Sequence, residues 1–464
     1  MNGFAYAVAW LLALYFSVYL VGTLTMAGIA ALVTRRRQHE VLPSTLRRIM
    51  RAELGPRISI CVPAYNESTI IADTVRSLLA LDYPELEVVV VNDGSTDSTL
   101  DVLQREFDLE PSTRTKLAGL PHLPVRALFA PRAPLPLVVV DKENGGRSDA
   151  INAALVYARG PLVAILDADG LVANDTLARA IRPFLADPVD TVAAGAHLGI
   201  ANGCRVVRGR ILERRRPRQI LPLYQAVEYD RAFRVARVAA GALGAMPIVS
   251  GGFGLFRRDA LLLSGGLESD TVGEDLDLTL KLHRFFRDRH ERYRIAHVPN
   301  VVCWTIAPAR RRVLGRQRRR WQRGLFQVLA KHRGMAFRPR YGFLGLVAVP
   351  WMALFELLGP LVVLAGVAVT LGALAAGVFG LEAVLLAICV TWLSFLVPTL
   401  AALLMTEAPG GSPTGWRNLA AVVGVAFVDL PYQVLTFAYR LQTLVTPRRR
   451  VDWGEMERSL PREG

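Results

Sequence analysis

Cysteine is scarce in this chain: four residues in 464, Cys61, Cys204, Cys303 and Cys389, none spaced from another as metal ligands are. That excludes a zinc-ribbon or disulfide-framed architecture and fits buried thiols in a reducing compartment or within a bilayer. Internal repeats and low-complexity tracts are absent, which removes solenoids and long disordered linkers. No basic residue precedes the first apolar run, and that run is too long for the core of a cleaved leader, so it is expected to stay. Acidic charge is in deficit, with 40 Asp+Glu against 55 Lys+Arg and a net charge of +15. Aromatic residues are not interleaved with the arginines as on a nucleic-acid platform, so no nucleic-acid partner is expected. An anionic membrane leaflet and an anionic nucleotide or polymer account for the surplus instead.

Apolar sequence is abundant. Hydrophobic residues make up 52% of the chain and the mean hydropathy is +0.30, with the excess at the two ends, as in an integral membrane protein. Residues 4–33 suffice to cross about 30 Å of hydrocarbon, and Arg35, Arg36 and Arg37 follow directly, which puts the next domain on the cytoplasmic side. Near the other end, 341–370, 371–405 and 418–444 each hold enough apolar length to span. Three crossings would leave the Arg448-Arg449-Arg450 tail outside, against the charge rule. Pro350, Glu356 and Pro360, or Asp429 and Pro431, could instead mark an interfacial or re-entrant segment, and a cytoplasmic tail is favoured. No carboxyl-terminal regulatory domain is expected.

Between the ends, strand and helix patterns alternate. Strands are expected at 58–62, 87–91, 137–140 and 162–166, and helices at 69–80, 98–107 and 148–158. Continuous Val/Ile runs in such an alternation predict an α/β fold with a mostly parallel sheet covered on both faces. Ligands of such sheets bind beyond the carboxyl ends of the strands, and each expected strand stops at polar residues there. These are Pro63-Ala64-Tyr65-Asn66-Glu67, Asn92-Asp93-Gly94-Ser95, Asp141-Lys142-Glu143-Asn144 and Asp167-Ala168-Asp169. The run Val163 to Leu166 reads as a buried strand whose i, i+2 alternation would point both Asp167 and Asp169 one way, as hard oxygen ligands for a divalent cation. The Pro- and Arg-rich stretch 109–136 is expected to be a surface excursion.

Several of these strings are also ordinary turn and cap chemistry: Asn-Asp-Gly-Ser makes an Asx-turn, Asn66 or Ser68 a helix cap, and Glu274-Asp275 a helix start. Their joint order is more telling. Val62-Pro63-Ala64-Tyr65-Asn66-Glu67, Val91 to Asp97, Asn144-Gly145-Gly146-Arg147 with Ala150 and Asn152, Asp167-Ala168-Asp169, Gly273-Glu274-Asp275 and Gln317-Arg318-Arg319-Arg320-Trp321 follow one another as in the inverting family 2 glycosyltransferases. Within that family the chain resembles the membrane-embedded synthases of cellulose, hyaluronan, chitin and poly-N-acetylglucosamine. The resemblance runs from about Ile58 to Phe326.

It implies a GT-A, Rossmann-like catalytic domain at 57–306, after an amino-terminal transmembrane helix (1–34) and a linker (35–56). Basic interfacial helices (307–340), about three transmembrane segments (341–445) and a tail (446–464) would follow, in a multi-pass inner-membrane protein. Pro63, Tyr65, Asn66, Glu67, Asp93, Lys142, Gly146, Arg147 and Asp167 would hold the UDP-sugar, with Arg147 standing where the family often has Lys. Asp169 would ligate Mg²⁺ or Mn²⁺, which would neutralise the departing UDP. Asp275, with Glu274, would be the general base that activates the acceptor hydroxyl; the family commonly carries Thr where Gly273 stands. Gly252 and Phe253 would line the acceptor site, where small residues let a sugar lie against backbone. Gln317, Arg320 and Trp321 would serve the acceptor too, the indole stacking on its terminal sugar and Arg320 meeting the pyrophosphate. Of the neighbouring arginines, Arg310, Arg311 and Arg312 read as a solvated or lipid-facing charge run. The expected product is a β-linked polysaccharide made from UDP-N-acetylglucosamine. A non-processive transferase loading a lipid acceptor, or an inert export subunit, remains the alternative.

Overall fold

The computed structural model describes residues 2–37, 55–207, 209–378, 380–404, 424 and 430–445. Most of the expected linker, most of 418–429 and the Arg448-Arg449-Arg450 tail lie outside the described residues. The chain divides into two compact units: one from 55–218 and 244–307, the other from 2–37, 219–243 and the described residues from 308 onward.

In the first unit a twelve-stranded sheet is built from β1 (Ile58–Ala64), β2 (Leu86–Asp93), β3 (Leu109–Pro111), β4 (Val125–Pro131), β5 (Leu137–Lys142), β6 (Leu162–Leu166), β7 (Leu171–Val172), β8 (Thr191–Ile200), β9 (Arg205–Val207), β10 (Arg210–Glu213), β11 (Phe253–Arg257) and β12 (Arg294–Thr305). The order is β3-β4-β5-β2-β1-β6-β11-β8-β12-β7-β10-β9. Only β5, β2, β1 and β6 form the parallel block that alternation predicts. On either side of it the pairing turns antiparallel, at β4 with β5 and at β11 with β6. The expectation of a mostly parallel sheet is therefore corrected to a mixed one. Beyond Leu166 the regular β/α alternation stops: β11 enters antiparallel between β6 and β8, while β8 and β12 pair parallel across the helices between them.

Leu109 to Pro136 is likewise corrected: instead of a pure excursion it contributes the edge strand β3 and its antiparallel neighbour β4, and Pro131 is tolerated because it is the last residue of β4, past the pairing with β5. Arg114, from the same stretch, is only 9% exposed and meets Glu87 at 2.5 Å. Glu87 also accepts from Ser59 Oγ at 2.6 Å and from the Arg159 N–H at 2.9 Å. Burial works to raise its pKa, but these donors win and hold it low.

The helix Arg147–Tyr157 is buried on every side, its Ile151, Leu155 and Val156 lying against Val89, Val91, Val138, Val140, Val163 and Ile165. Each such side chain contributes about 1.5–3 kcal/mol on leaving water, so this helix is the centre of the core. Helix Ile71–Leu79 is amphipathic instead, burying Ile71, Thr74, Val75 and Leu78.

In the second unit, helix Asn2–Arg37 packs along helix Leu381–Leu404. Its Tyr19 ring stacks 5.6 Å from that of Trp351. Among the described residues one helix is long and apolar enough to cross a membrane, Trp10–Arg36; Leu344–Leu357 and Gly359–Ala375 reach that standard only as a pair, across a 50° bend. The break has identifiable causes: π-helical turns at Leu344–Ala348 and Met352–Leu357, and Pro360 at the start of the next helix.

Acid stability of the sheet unit follows from two buried groups with separate windows. On helix Glu274–Asp288, His283 Nε2 lies 2.8 Å from the Met246 carbonyl, so it carries the proton, and Nδ1 accepts from Tyr293 Oη at 2.7 Å. Burial pushes its pKa down to about 4 from 6.5. The unfolded chain then takes up a proton below 6.5 that the native state refuses until about 4, so about 3 kcal/mol present at neutral pH is lost across that window. The contribution of Glu87, whose folded pKa is depressed, is lost only at lower pH. Denaturation midpoints of the full chain in detergent, followed from pH 7 to 4, should fall with pH, and His283→Gln should flatten the curve above pH 4.

Candidate active site

The parallel block places the carboxyl ends of β1, β2, β5 and β6 along one edge, with Ala64 opposite Asn92 and Asp93 opposite Lys142. The loop after β1 is tied to the loop after β2 by backbone-directed side chains. Asn66, at φ 56°, accepts the Thr96 N–H on Oδ1 at 2.8 Å, and its own N–H donates to Ser95 Oγ at 3.0 Å. Positive φ is tolerated by Asn better than by most side chains, and here it turns the amide onto the neighbouring loop. The Glu67 N–H donates to Thr99 Oγ1 at 2.9 Å and the Ser68 N–H to Asp97 at 3.1 Å. Tyr65 is 49% exposed beside them and Pro63 is half-buried.

Asp93 ends β2 almost wholly enclosed. Its carboxylate accepts from Lys142 Nζ at 2.7 Å and from the N–H groups of Gly145 and Gly146 at 3.0 and 2.7 Å. Gly94 must be glycine, since its φ is +65° and a Cβ there would lie 2.7 Å from the Asn144 nitrogen. Lys142 is 0% exposed, and Asp149 takes it from the other side at 2.5 Å. The sequence expectation that Lys142 reaches the nucleotide from a flexible loop is corrected: its ammonium is spent inside the protein.

The convergence lies one residue past that loop. Arg147, at the start of its helix and 11% exposed, donates from Nε to Asp167 at 2.8 Å, from Nη1 to Glu274 at 3.1 Å and from Nη2 to the Gly251 carbonyl at 2.7 Å. Burial disfavours its charge, yet Asp167 and Glu274 more than compensate and raise its pKa. The same Gly251 donates its N–H to Asp275 Oδ2 at 3.1 Å, while Asp275 Oδ1 accepts the Leu276 N–H at 2.9 Å in a local helix-start bond. Glu274 is 12% exposed; burial raises its pKa, Arg147 counters, and the nearby charges of Asp275 and Asp167 add to the rise. One guanidinium and the backbone N–H and carbonyl of one glycine thus connect Asp167, Glu274 and Asp275. The sequence places Gly251 within Ser250-Gly251-Gly252-Phe253-Gly254, a segment resembling an acceptor-site lining, and does not reveal its bonds to Arg147 and Asp275.

Asp167 and Asp169 sit otherwise than an extended strand would place them. β6 stops at Leu166, and 167–170 is a turn closed by the Gly170 N–H on the Asp167 carbonyl at 2.9 Å. Thr74 Oγ1 holds the turn by donating to the Ala168 carbonyl at 2.7 Å. Alternation is therefore not what aims the carboxylates. Asp169 borders a small recess with Ile70, Asp73, Thr74 and Gly209. The two still share surroundings: burial raises the pKa of the Cys303 thiol, and the charges of both Asp167 and Asp169 raise it further. Two oxygen-donor groups on one turn suit a hard divalent cation. A second acidic group, Glu268, Asp270 and Asp277, has ligand atoms within 4.8 Å of one another, though Lys281 already pairs with Glu268 at 2.5 Å.

Gly252 lies near Leu198 and Cys303, whose thiol is 3.5 Å from its carbonyl, while Phe253 is 1% exposed with its ring withdrawn into the sheet. The lining expected at Gly252 and Phe253 is by backbone, and with this ring buried only backbone is available there.

Gln317, Arg320 and Trp321 belong to the other unit, on helix Arg311–Lys331. Trp321 is 41% exposed, and the Arg318 guanidinium lies 4.5 Å over its ring. Arg310, Arg311 and Arg312 are exposed, whereas Arg318 is 5% exposed. It makes two bonds to Glu228, at 2.9 and 2.6 Å, and a third to Tyr432 Oη at 2.9 Å.

Two family 2 profiles match the chain, "Glycosyl transferase family 2" over 59–117 and "Glycosyltransferase like family 2" over 129–324, together more than half of it. The chain is similar to poly-beta-1,6-N-acetyl-D-glucosamine synthases of Staphylococcus epidermidis, at 28% identity over 274 residues, and Staphylococcus aureus, at 28% over 275. In each case 59% of this chain and 56% of the relative are covered, so the chain spans about half the length of the curated relatives it matches. Among solved structures, the mannosyltransferase PcManGT of Pyrobaculum calidifontis, in complex with GDP-Man and Mn²⁺, shares the fold with a TM-score of 0.52 and 23% identity, covering 91% of this chain and 100% of its own.

The role of Arg147 is open to a test that needs no substrate. Arg147→Met leaves Glu274 buried beside two carboxylates without its counter-charge, at a cost of about 3–5 kcal/mol near neutral pH. Because the folded pKa of Glu274 is already raised and would rise further, the native state binds the extra proton as pH falls. Thermal midpoints of the variant should therefore recover between pH 7 and 5, where the parent's do not.

Proposed function

The chain belongs to glycosyltransferase family 2, and from that premise we propose that it transfers sugar from a UDP-sugar, UDP-N-acetylglucosamine first among them, to a growing β-linked polysaccharide with inversion. The observation that carries this reading is the Arg147 node, where the carboxylate of the Asp-x-Asp turn and the Glu274-Asp275 pair meet on one guanidinium and the Gly251 backbone. An inverting transfer needs leaving-group stabilisation and a base on opposite faces of the anomeric carbon, within one sugar's reach. Asp275 takes the proton of the acceptor hydroxyl, whose oxygen attacks as the bond to UDP breaks. The Gly251 and Leu276 N–H groups hold Asp275, and Glu274 holds Arg147. Arg147 supplies positive charge beside the departing diphosphate, and its three fixed bonds mean that little reorganisation is needed as that charge develops. A divalent cation, Mg²⁺ or Mn²⁺, would be held by Asp169 with Asp167 beside it and would neutralise the leaving group. Pro63, Tyr65, Asn66, Glu67, Asp93 and Gly146 are proposed to shape the nucleotide pocket at the same edge.

The donor preference and the polymeric product rest on the similarity to poly-beta-1,6-N-acetyl-D-glucosamine synthases. The half-exposed Trp321 indole offers a stacking face for a sugar, and Gln317 and Arg320 are proposed to serve the acceptor beside it. We assign catalysis to 57–306, a membrane-surface role to 307–340 and membrane anchoring to 1–34 and 341–445, in a multi-pass inner-membrane protein with its catalytic part cytoplasmic.

Purified protein in detergent, offered each UDP-sugar in turn with Mg²⁺ or Mn²⁺, should release UDP most rapidly from UDP-N-acetylglucosamine and form a polymer that grows with time. Label confined to a short, organic-soluble product would defeat the polymerase reading. Asp275→Asn should lower kcat by about 10²–10⁴-fold with little change in donor KM. Asp169→Ala, or EDTA added to the parent, should abolish turnover; undiminished rates in either would remove the cation from the mechanism.

A further inference from the structure

Lys142 closes β5 with a side chain that no solvent reaches. An ammonium has three protons to place, and all three are placed inside the protein: on Asp93 at 2.7 Å, on Asp149 at 2.5 Å and on the Glu143 carbonyl. Two carboxylates against one ammonium leave a net negative charge, which backbone donors offset. The N–H groups of Gly145 and Gly146 point at Asp93, and that of Leu123 points at Asp149, at 3.2 and 3.0 Å from its two oxygens. The Glu143 N–H is in turn taken by the Pro124 carbonyl at 3.0 Å. Residues 143–146 are thus stretched between the end of β2 and the first turn of the helix that begins at Arg147. A Cβ on Gly145 would collide with the Asp149 carboxylate, so the loop lies against that anchor as closely as a backbone can.

We infer that Asp149 and Lys142 are positioning residues for donor binding. The Asp93–Lys142–Asp149 chain of charges fixes the 143–146 loop, and with it the direction from which Arg147 reaches Asp167, Glu274 and the Gly251 carbonyl. Neither side chain has a donor left for the nucleotide; their effect passes through the two glycine amides and through Arg147. A loop held in this way binds a diphosphate without first paying the entropy of ordering itself. The inference rests on the proposed UDP-sugar chemistry of the same edge.

Steady-state rates and calorimetric binding of UDP alone, measured on the full chain in detergent, give two independent readings. Asp149→Asn and Lys142→Met should each raise donor KM and UDP Kd about ten- to a hundredfold, the size expected for losing a charge-assisted anchor, with a smaller fall in kcat. Because the two act as one unit, the double variant should bind UDP no more weakly than the worse single one. If Lys142→Met, which leaves two buried carboxylates without a cation, cannot be purified, Asp149→Asn, which leaves Asp93 and Lys142 paired one to one, carries the test by itself. Parental donor KM and UDP affinity in these variants, with only a lowered melting temperature, would reduce the latch to a fold element and overturn the inference. A parent that binds UDP but transfers no sugar, with variants that bind it weakly, would sink the proposed reaction and leave the latch standing; a parent that does not bind UDP sinks both.

Discussion

Burying the guanidinium of Arg147 to 11% exposure is tolerable only because three acceptors from distant stretches of chain meet it at once. Asp167 lies 20 residues away in sequence and Glu274 127 residues away. Desolvating such a group costs several kcal/mol, and its Coulomb partners repay that only when geometry and hydrogen bonding are both good. That condition acts on the rest of the unit. β6 must end at Leu166 so that the following turn offers Asp167, helix Glu274–Asp288 must start where Glu274 can reach inward, and the turn before β11 must present the Gly251 carbonyl. Whatever the chemistry at this edge, the carboxylates there are not independent surface groups. For Glu274, burial raises the pKa and the Arg147 charge counters it without cancelling the rise.

How far this was legible in the sequence follows from the range of the interactions involved. The four parallel strands and the helices between them were legible because hydrophobic periodicity is a local signal, and the polar clusters at their ends came with them. The rest of the sheet was not, because β8, β11 and β12 are specified by pairing with strands distant in the chain, such as Gly254 antiparallel to Gly195 and His297 parallel to it. The candidate site shows the same division. Asp93, Arg147, Asp167, Glu274 and Asp275 could be named from their strings. Their connection through Gly251 could not, since a peptide group has no letter in the sequence to advertise it. Lys142 is the instructive failure: a lysine beside two glycines reads as a mobile cation, and only the presence of Asp149 seven residues on, in the first turn of a helix, turns it inward.

The second unit contains the same device at another scale. In Gln317-Arg318-Arg319-Arg320-Trp321 five consecutive residues look alike as a basic surface, yet helical geometry sends successive side chains about 100° apart, so one arginine of the run can be buried while its neighbours stay near the surface. Arg318 is that one. Glu228, 90 residues earlier, takes it with both oxygens, and Tyr432 bonds to both members of the pair. The fork of two parallel bonds is a geometry that lysine could not reproduce. A buried pair of this kind is weak evidence for stability in itself, because an apolar replacement of similar volume can be as stable. What it does specify is position: helices Ile220–Asp230, Arg311–Lys331 and Leu430–Val445 are fixed relative to one another at a single point. The consequence falls on Trp321. With the Arg318 guanidinium 4.5 Å over its ring, one face of the indole is already taken. Trp321 stays 41% exposed all the same, so the pairing that positions Arg318 also limits how much of the indole is open.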